Sequence, residues 1–551
     1  MRKTVLMPTE TNLYIAQAAK LQDIQALATG YHLADDEFEP LGRAKAKLSR
    51  DGIRRLVTGK KGKLVLVSAI TPTPAGEGKT TTTIGLAQGL CKIGHTAIPC
   101  VREPSLGPIF GNKGGACGGG YSQVLPMEDI NLFFTGDFPA VSSAHNLLAA
   151  AIDAHLHHGN RCRLDARRIT WPRTIDMNDR ALREIVIGLG GSTNGYSRED
   201  GFVVCAASEI MAILCMTTGM EDLKARLAQI VVGQDDQAAP VRAGALGVVG
   251  AMAALLREAI RPNLVQTLEG GLAFVHGGPF ANIAHGCSSV LATQCSLGLA
   301  EFTVTEAGFA SDLGAEKFMN LVVPQIGKAP EAVVLVATVR ALRHHGGGEL
   351  GPGLRNLEQH ASHLKKYGAP VVVAINRFED DEEHDHRVIH EACRAMDVGC
   401  ASANPWGGGG EGCRQLAKVV NRVANQPSTF EPLYRPTDSI ARKLHLIASE
   451  VYGAIGIRLL DGARRRLVWA EKHGMGHLSP CVAKTQYSFA DDAAKGHTPT
   501  DFEVTIRELR PLAGAGYITA LAGEIMLMPG LGKEPAAFGI DVIDDQIIGL
   551  V

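Results

Sequence analysis

Seven short, almost unbroken apolar runs constrain this chain more than any other feature. They are LVLVSAI (64–70), TAIPCV (96–101), GFVVCAA (201–207), LAFVH (272–276), FTVTEA (302–307), AVVLVAT (332–338) and APVVVAIN (369–376). A strand with one wet face alternates apolar and polar residues, so a strand apolar at nearly every position must be covered on both faces. Longer helical patterns separate the runs. The chain therefore reads as α/β, with a mostly parallel sheet sheathed by helices. Several runs end directly in Gly, polar or charged residues. Ligands of open α/β sheets sit beyond the carboxyl ends of the strands, so the chemistry is sought there.

At 551 residues the chain is too long for one compact core. The expected division is a first, nucleotide-binding domain over 1–345, a second α/β domain over 346–450 and a C-terminal domain over 451–551. The composition, 45% apolar and 20% charged, is that of a folded globular chain, and a net charge of −2 supplies no field to recruit nucleic acid or anionic lipid. The longest apolar stretch, GALGVVGAMAALL (244–256), is too short to span a bilayer. The first residues, MRKTVLMPTETNLY, lack the apolar core of a signal peptide. Twelve cysteines without a CxxC pair point to reduced thiols and a cytoplasmic protein, not to a disulfide framework or zinc site.

TPTPAGEGKTTTT (71–83) joins the first run to a helical pattern. Strand, Gly-rich turn and helix form the context of a phosphate loop, although Thr73 stands where the strict pattern has its first Gly. Gly76 and Gly78 permit a tight turn of inward-facing amides. Lys79 adds a cation at the helix N-terminus, and the Thr80 hydroxyl suits Mg²⁺. The competing reading is an ordinary turn into a capped helix. The second run weakens that reading, because TAIPCV leads into Arg102-Glu103-Pro104-Ser105 and then a glycine run containing Lys113. Cations at two strand ends, each beside a Gly turn, suggest one pocket for a polyanion. For Arg102 the alternative is a surface ion pair with Glu103.

Several long strings then appear in order: REPSLGPIFGNKGGACGGGYSQVLPMEDINL (102–132), DMNDRALR (176–183), IRPNLVQTLE (260–269), FVHGGPFANIAHGC (274–287), VTEAGFASDLGAEKF (304–318), PCVAKTQYSF (480–489), AGAGYITALAGEIM (513–526) and MPGL (528–531). With the loop, they make the chain resemble the formate–tetrahydrofolate ligase family, also called formyltetrahydrofolate synthetase, over nearly its whole length. The resemblance implies a large nucleotide domain with two smaller α/β domains, commonly assembled as a tetramer. It implies that Mg-ATP phosphorylates formate to formyl phosphate, whose carbon is then attacked by tetrahydrofolate, giving 10-formyltetrahydrofolate, ADP and phosphate.

Carried over position by position, the resemblance implies ATP binding by Thr73, Pro74, Ala75, Gly76, Glu77, Gly78, Lys79 and Thr80. It makes Lys79 and Arg102 catalytic, and has Phe378 and Trp406 stack on the pterin. Glu103, Ser105 and Asp137 match a monovalent-cation site for K⁺ or NH₄⁺, with solvated or capping polarity as the alternative. His276 and His285 are tempting general bases but read more simply as structural, as do His344 and His345. The chain also departs from the family pattern. INLFFTGDFPAV places Phe133 and Pro139 where the family has histidines, Gly408 follows Trp406, and Ser288 replaces an asparagine. Those changes leave open a second reading: a nucleotide-binding switch or pseudoenzyme, or an enzyme for another acid or pterin.

Overall fold

In the computed structural model, the residues described are 11–111, 115–280, 282–283, 286, 288–523 and 526–550. Six of the strands that carry the argument are parallel neighbours: β1 (Lys63–Ala69), β2 (Ala97–Val101), β3 (Phe302–Glu306), β4 (Ala332–Ala337), β5 (Val371–Asn376) and β6 (Gly399–Ala403). Their spatial order is β2-β3-β1-β4-β5-β6. The registers include Thr305 opposite Cys100, Val304 opposite Val65 and Val334 opposite Val67. Beyond β2 the sheet continues through Leu272–Val275, parallel to it, and then through the antiparallel strands Asn263–Thr267, Ala46–Leu48 and Phe38–Pro40. Five of the seven apolar runs thus lie in the parallel block, and LAFVH extends it.

Both faces of the sheet are covered, which is why the runs are apolar throughout. Along β1, Leu64 and Leu66 enter one core while Val65, Val67 and Ala69 enter another. Along β4, Val333, Leu335 and Ala337 face the first core, and Ala332, Val334 and Val336 the second. The helices that matter below are α1 (Lys79–Lys92), α2 (Asp137–His157), α3 (Val339–His345), α4 (Leu350–Lys365) and α5 (Pro405–Gly412). α1 is buried almost all round from Thr82 to Leu90, with α5 packed directly on it.

GFVVCAA departs from expectation. Phe202–Val204 pairs only with Arg173–Ile175, outside the main sheet. The β-branched stretch is just two valines long, and the small residues Cys205–Ala207 turn into a helix capped by Ser208, whose hydroxyl oxygen accepts from the Ile210 amide. This strand belongs to a lobe of short ribbons between α2 and Asn263. The boundary expected at 345–346 falls inside the main sheet, because β5 and β6 pair on from β4. A separate core of C-terminal residues begins at Tyr434 and runs to Ala522. The tail then leaves it: the Gln17 side-chain amide donates to Ile547 O at 3.0 Å, and Leu550 is buried beside Leu13, Val101 and Ile109. Among the described residues, no helix is long and apolar enough to cross a membrane.

Candidate active site

In chain order, the residues leaving the carboxyl edge of the parallel block are the phosphate loop after β1, Arg102 after β2, Glu306 closing β3, Thr338 and Arg340 after β4, Asn376 closing β5 with Phe378 two residues on, and Trp406 after β6. Since the strands are parallel neighbours, all of these share one side of the sheet. β1 and β2 flank β3. At about 4.8 Å per strand, the ends of β1 and β2, from which the segments carrying Lys79 and Arg102 leave, lie roughly 10 Å apart.

The loop is held from within. Gly78 caps α1 with φ +71°, and a Cβ there would stand 2.5 Å from Asn376 Nδ2, so both conformation and space require glycine. Asn376 donates that amide to Glu77 O at 3.1 Å. The Glu77 carboxylate is buried. It accepts from Thr73 N–H at 2.7 Å, Thr73 Oγ1 at 2.8 Å and Thr338 Oγ1 at 2.5 Å. This explains Thr73 at the usual glycine position: its amide and hydroxyl both secure an internal carboxylate. Glu77 therefore buttresses the loop and turns away from any ligand above it. Arg340 donates to Gly76 O at 2.7 Å, and its guanidinium lies 4.8 Å from the centre of the Phe378 ring. One side chain thus links the loop to an aromatic proposed for the pterin.

Lys79 is the first residue of α1, half-buried, and Pro74, Ala75 and Gly76 are exposed. Among the described residues Lys79 makes no ion pair. Thr80 Oγ1 donates to Glu306 Oε1 at 2.8 Å. Glu306 was not singled out from the sequence, because only strand register places the acid that closes FTVTEA beside the phosphate loop. A helix-start hydroxyl paired with a strand-end carboxylate offers hard oxygen ligands suited to Mg²⁺.

Arg102 is exposed, and no ion pair holds it among the described residues, Glu103 included. Glu103 instead turns inward. Its Oε2 is buried without a partner, and burial, followed by the nearby Asp137 charge, holds its carboxyl well above the usual range. Asp137 accepts from Lys47 Nζ at 2.8 Å and from Asn263 Nδ2 at 2.8 Å. Ser105 donates to Asp176 Oδ1 at 2.5 Å, and Asp176 also accepts from the Leu106 amide at 3.0 Å. Burial raises the Asp176 carboxyl as well. Glu103 thus lies close to two further acids and to the buried Lys47 that pairs with Asp137, and one of its oxygens is left unsatisfied. Lys47 and Asp176 went unnoticed because their neighbours come from remote segments.

Phe378 and Trp406 are 39% and 42% exposed, unusual for large aromatics beside a sheet. Trp406 Nε1 donates to Asn12 Oδ1 at 3.2 Å, and its carbonyl accepts from the Tyr121 amide at 2.8 Å, which fixes the ring while leaving it accessible. His276 is fully buried between Ser289 Oγ at 2.6 Å and Ala259 O at 2.7 Å, with burial lowering its pKa to about 4. That is the structural role, not a general base. Phe133 is 67% exposed. Pro139 is an exposed third residue of α2, where the backbone N–H it lacks has no intrahelical acceptor. Lys113 and His285 lie outside the described residues.

The formate–tetrahydrofolate ligase family model matches residues 10–551. Among curated proteins, the formate–tetrahydrofolate ligase of Bacillus pumilus (strain SAFR-032) is 51% identical over 553 aligned positions, covering 98% of this chain and 99% of that protein. A match that spans every element of the sheet edge, at that identity, places this chain in the formate–tetrahydrofolate ligase family.

Proposed function

We infer that the chain joins formate to tetrahydrofolate with ATP, giving 10-formyltetrahydrofolate, ADP and phosphate through formyl phosphate. The observation that carries the reading is the row of groups on one sheet edge, with Lys79 and Arg102 flanking the Thr80–Glu306 pair. Formate and ATP are both anions, so the first step needs cations that hold them together and absorb charge as the phosphoryl group moves.

Lys79 and the loop amides hold the β- and γ-phosphates. Arg102 holds the formate carboxylate by paired charge-assisted hydrogen bonds and directs one oxygen at the γ-phosphorus. That oxygen forms the new P–O bond as ADP leaves. Thr80 and Glu306 would hold Mg²⁺, which supplies charge neutralisation on the phosphates. Phe378 and Trp406 bind the pterin by its faces, so that the bridging amine attacks the formyl carbon and phosphate departs. The acidic cluster of Glu103, Asp137 and Asp176, in which Glu103 Oε2 lacks a partner, suits a monovalent cation, K⁺ or NH₄⁺, with Ser105 oriented by Asp176. Assembly as a homotetramer and a cytoplasmic location accompany this reading.

The test is direct. The purified protein is incubated with Mg-ATP, formate and tetrahydrofolate, then acidified to convert product to the methenyl form, and each substrate is omitted in turn. Absorbing product that requires all three is expected. Phosphate release without folate-dependent product would refute the ligase reading.

A further inference from the structure

At the C-terminal end of α3, three imidazoles converge. His344 and His345 end α3, and His497 comes from the segment before the strand Glu503–Ile506 of the C-terminal core. One ring nitrogen from each lies within 4.8 Å of the other two. The His345 and His497 ring centres are 4.2 Å apart. Ring contact alone stabilises such a trio little, so the arrangement asks for a partner.

The hydrogen bonds decide which nitrogens are free. His345 Nε2–H donates to Thr71 O at 2.6 Å, so Nδ1 carries the lone pair, and that atom is buried without a partner. His497 Nδ1–H donates to Tyr487 O at 3.1 Å, which leaves Nε2 bare. Neither ring nitrogen of His344 has a hydrogen bond among the described residues. Metal-binding histidines characteristically donate the second ring nitrogen to a carbonyl or carboxylate, which sets both tautomer and ring orientation. Two of the three rings already have that support.

We propose that His344, His345 and His497 form a binding site for a divalent transition ion of the Zn²⁺ class. Imidazole suits such ions, and three nitrogens with an open fourth position satisfy tetrahedral zinc. Metal–nitrogen bonds of about 2.0–2.1 Å put the nitrogens about 3.3 Å apart, so the rings close in on binding. His344 is exposed and free to swing. The bound ion would tie the C-terminal core to Thr71, the residue that opens the phosphate loop, through the carbonyl that His345 already holds.

The experiment uses the full chain without an affinity tag, stripped with a chelator and titrated with Zn²⁺ against a chromophoric competitor. One tight site per chain is expected, weakened at least 100-fold in His344→Ala/His497→Ala and unchanged in the control His157→Ala/His158→Ala. Zn²⁺ should raise the melting temperature of the wild-type chain and not that of the double variant. If the double variant fails to fold, the Co²⁺ spectrum of the wild-type protein decides. A nitrogen-only ligand field supports the site, whereas thiolate charge-transfer bands place the metal on cysteine and overturn it. A tight site that survives in the double variant, or no tight site in the wild-type chain, also overturns it.

Discussion

Replacing Glu77 separates a buttressed loop from one whose acid faces the nucleotide. Glu77→Ala strands three donors: the Thr73 amide, the Thr73 hydroxyl and the Thr338 hydroxyl. At about 1 kcal/mol of net stabilisation each, the loop loses about 3 kcal/mol of preference for its present shape. The neighbouring Pro74–Gly76 is exposed, so water recovers part of this. ATP would then bind only the fraction of molecules with an ordered loop, which raises the apparent Kd by about 10- to 100-fold. Glu77→Gln keeps an acceptor for Thr73 and asks only the Thr338 hydroxyl to rotate, so its cost is about 1 kcal/mol, or fivefold. Isothermal titration of ATP into the three proteins gives the comparison. If the carboxylate instead faced the phosphates, removing its charge would strengthen binding. Tighter ATP binding by either variant would refute the internal-buttress geometry.

Three further perturbations separate the remaining roles. Arg102→Ala should lower kcat/KM for formate by about 30- to 1000-fold, equivalent to about 2–4 kcal/mol of lost transition-state stabilisation, with ATP affinity within twofold. Equal losses for both substrates in steady-state kinetics would contradict its assignment to the acid. Trp406→Ala should raise the KM for tetrahydrofolate by about 5- to 100-fold, the loss of one stacking face at about 1–3 kcal/mol, and leave formate-dependent steps intact. Glu209 tests pH linkage. Its buried carboxyl, which accepts from Gly514 N at 2.8 Å, is raised from 4.5 to about 8. The folded chain therefore holds a proton that the unfolded chain releases, and this stabilisation is lost as pH rises from about 4.5 to 8. At about 1.4 kcal/mol per pH unit the change reaches about 5 kcal/mol. Wild-type melting temperature should fall between pH 6 and pH 9, and Glu209→Gln should flatten that fall; parallel curves would count against the shifted carboxyl.

What could be read from the chain followed from local pattern. Runs such as AVVLVAT announced strands covered on both faces, and TPTPAGEGKTTTT announced a loop entering a helix. GFVVCAA misled because two valines beside Cys-Ala-Ala look apolar without being long enough to pair into a sheet. Register between distant strands was out of reach, and with it Glu306, Asn376, Lys47 and Asp176. Each of these acts on a residue at least 70 positions away, as Asp176 does on Ser105. The histidine trio is the extreme case, since His497 lies more than 150 residues beyond His345 and nothing local marks the pair.

Strand order brings the two cations of the proposed reaction beyond nearby strand ends. β3 arrives some 200 residues after β2, yet it inserts between β2 and β1 and brings Glu306 between the origins of Arg102 and Lys79. Without that acid, two cations beyond strand ends this close would repel each other. With it, the edge alternates positive, negative, positive, and Thr80 is already oriented onto the central carboxylate. The departures at Phe133 and Pro139 leave this row untouched, because both side chains face solvent while Asp137 between them is fixed inward by Lys47 and Asn263. The charge row on which the proposed ligation rests therefore belongs to the sheet's topology, and those two exposed positions do not build it.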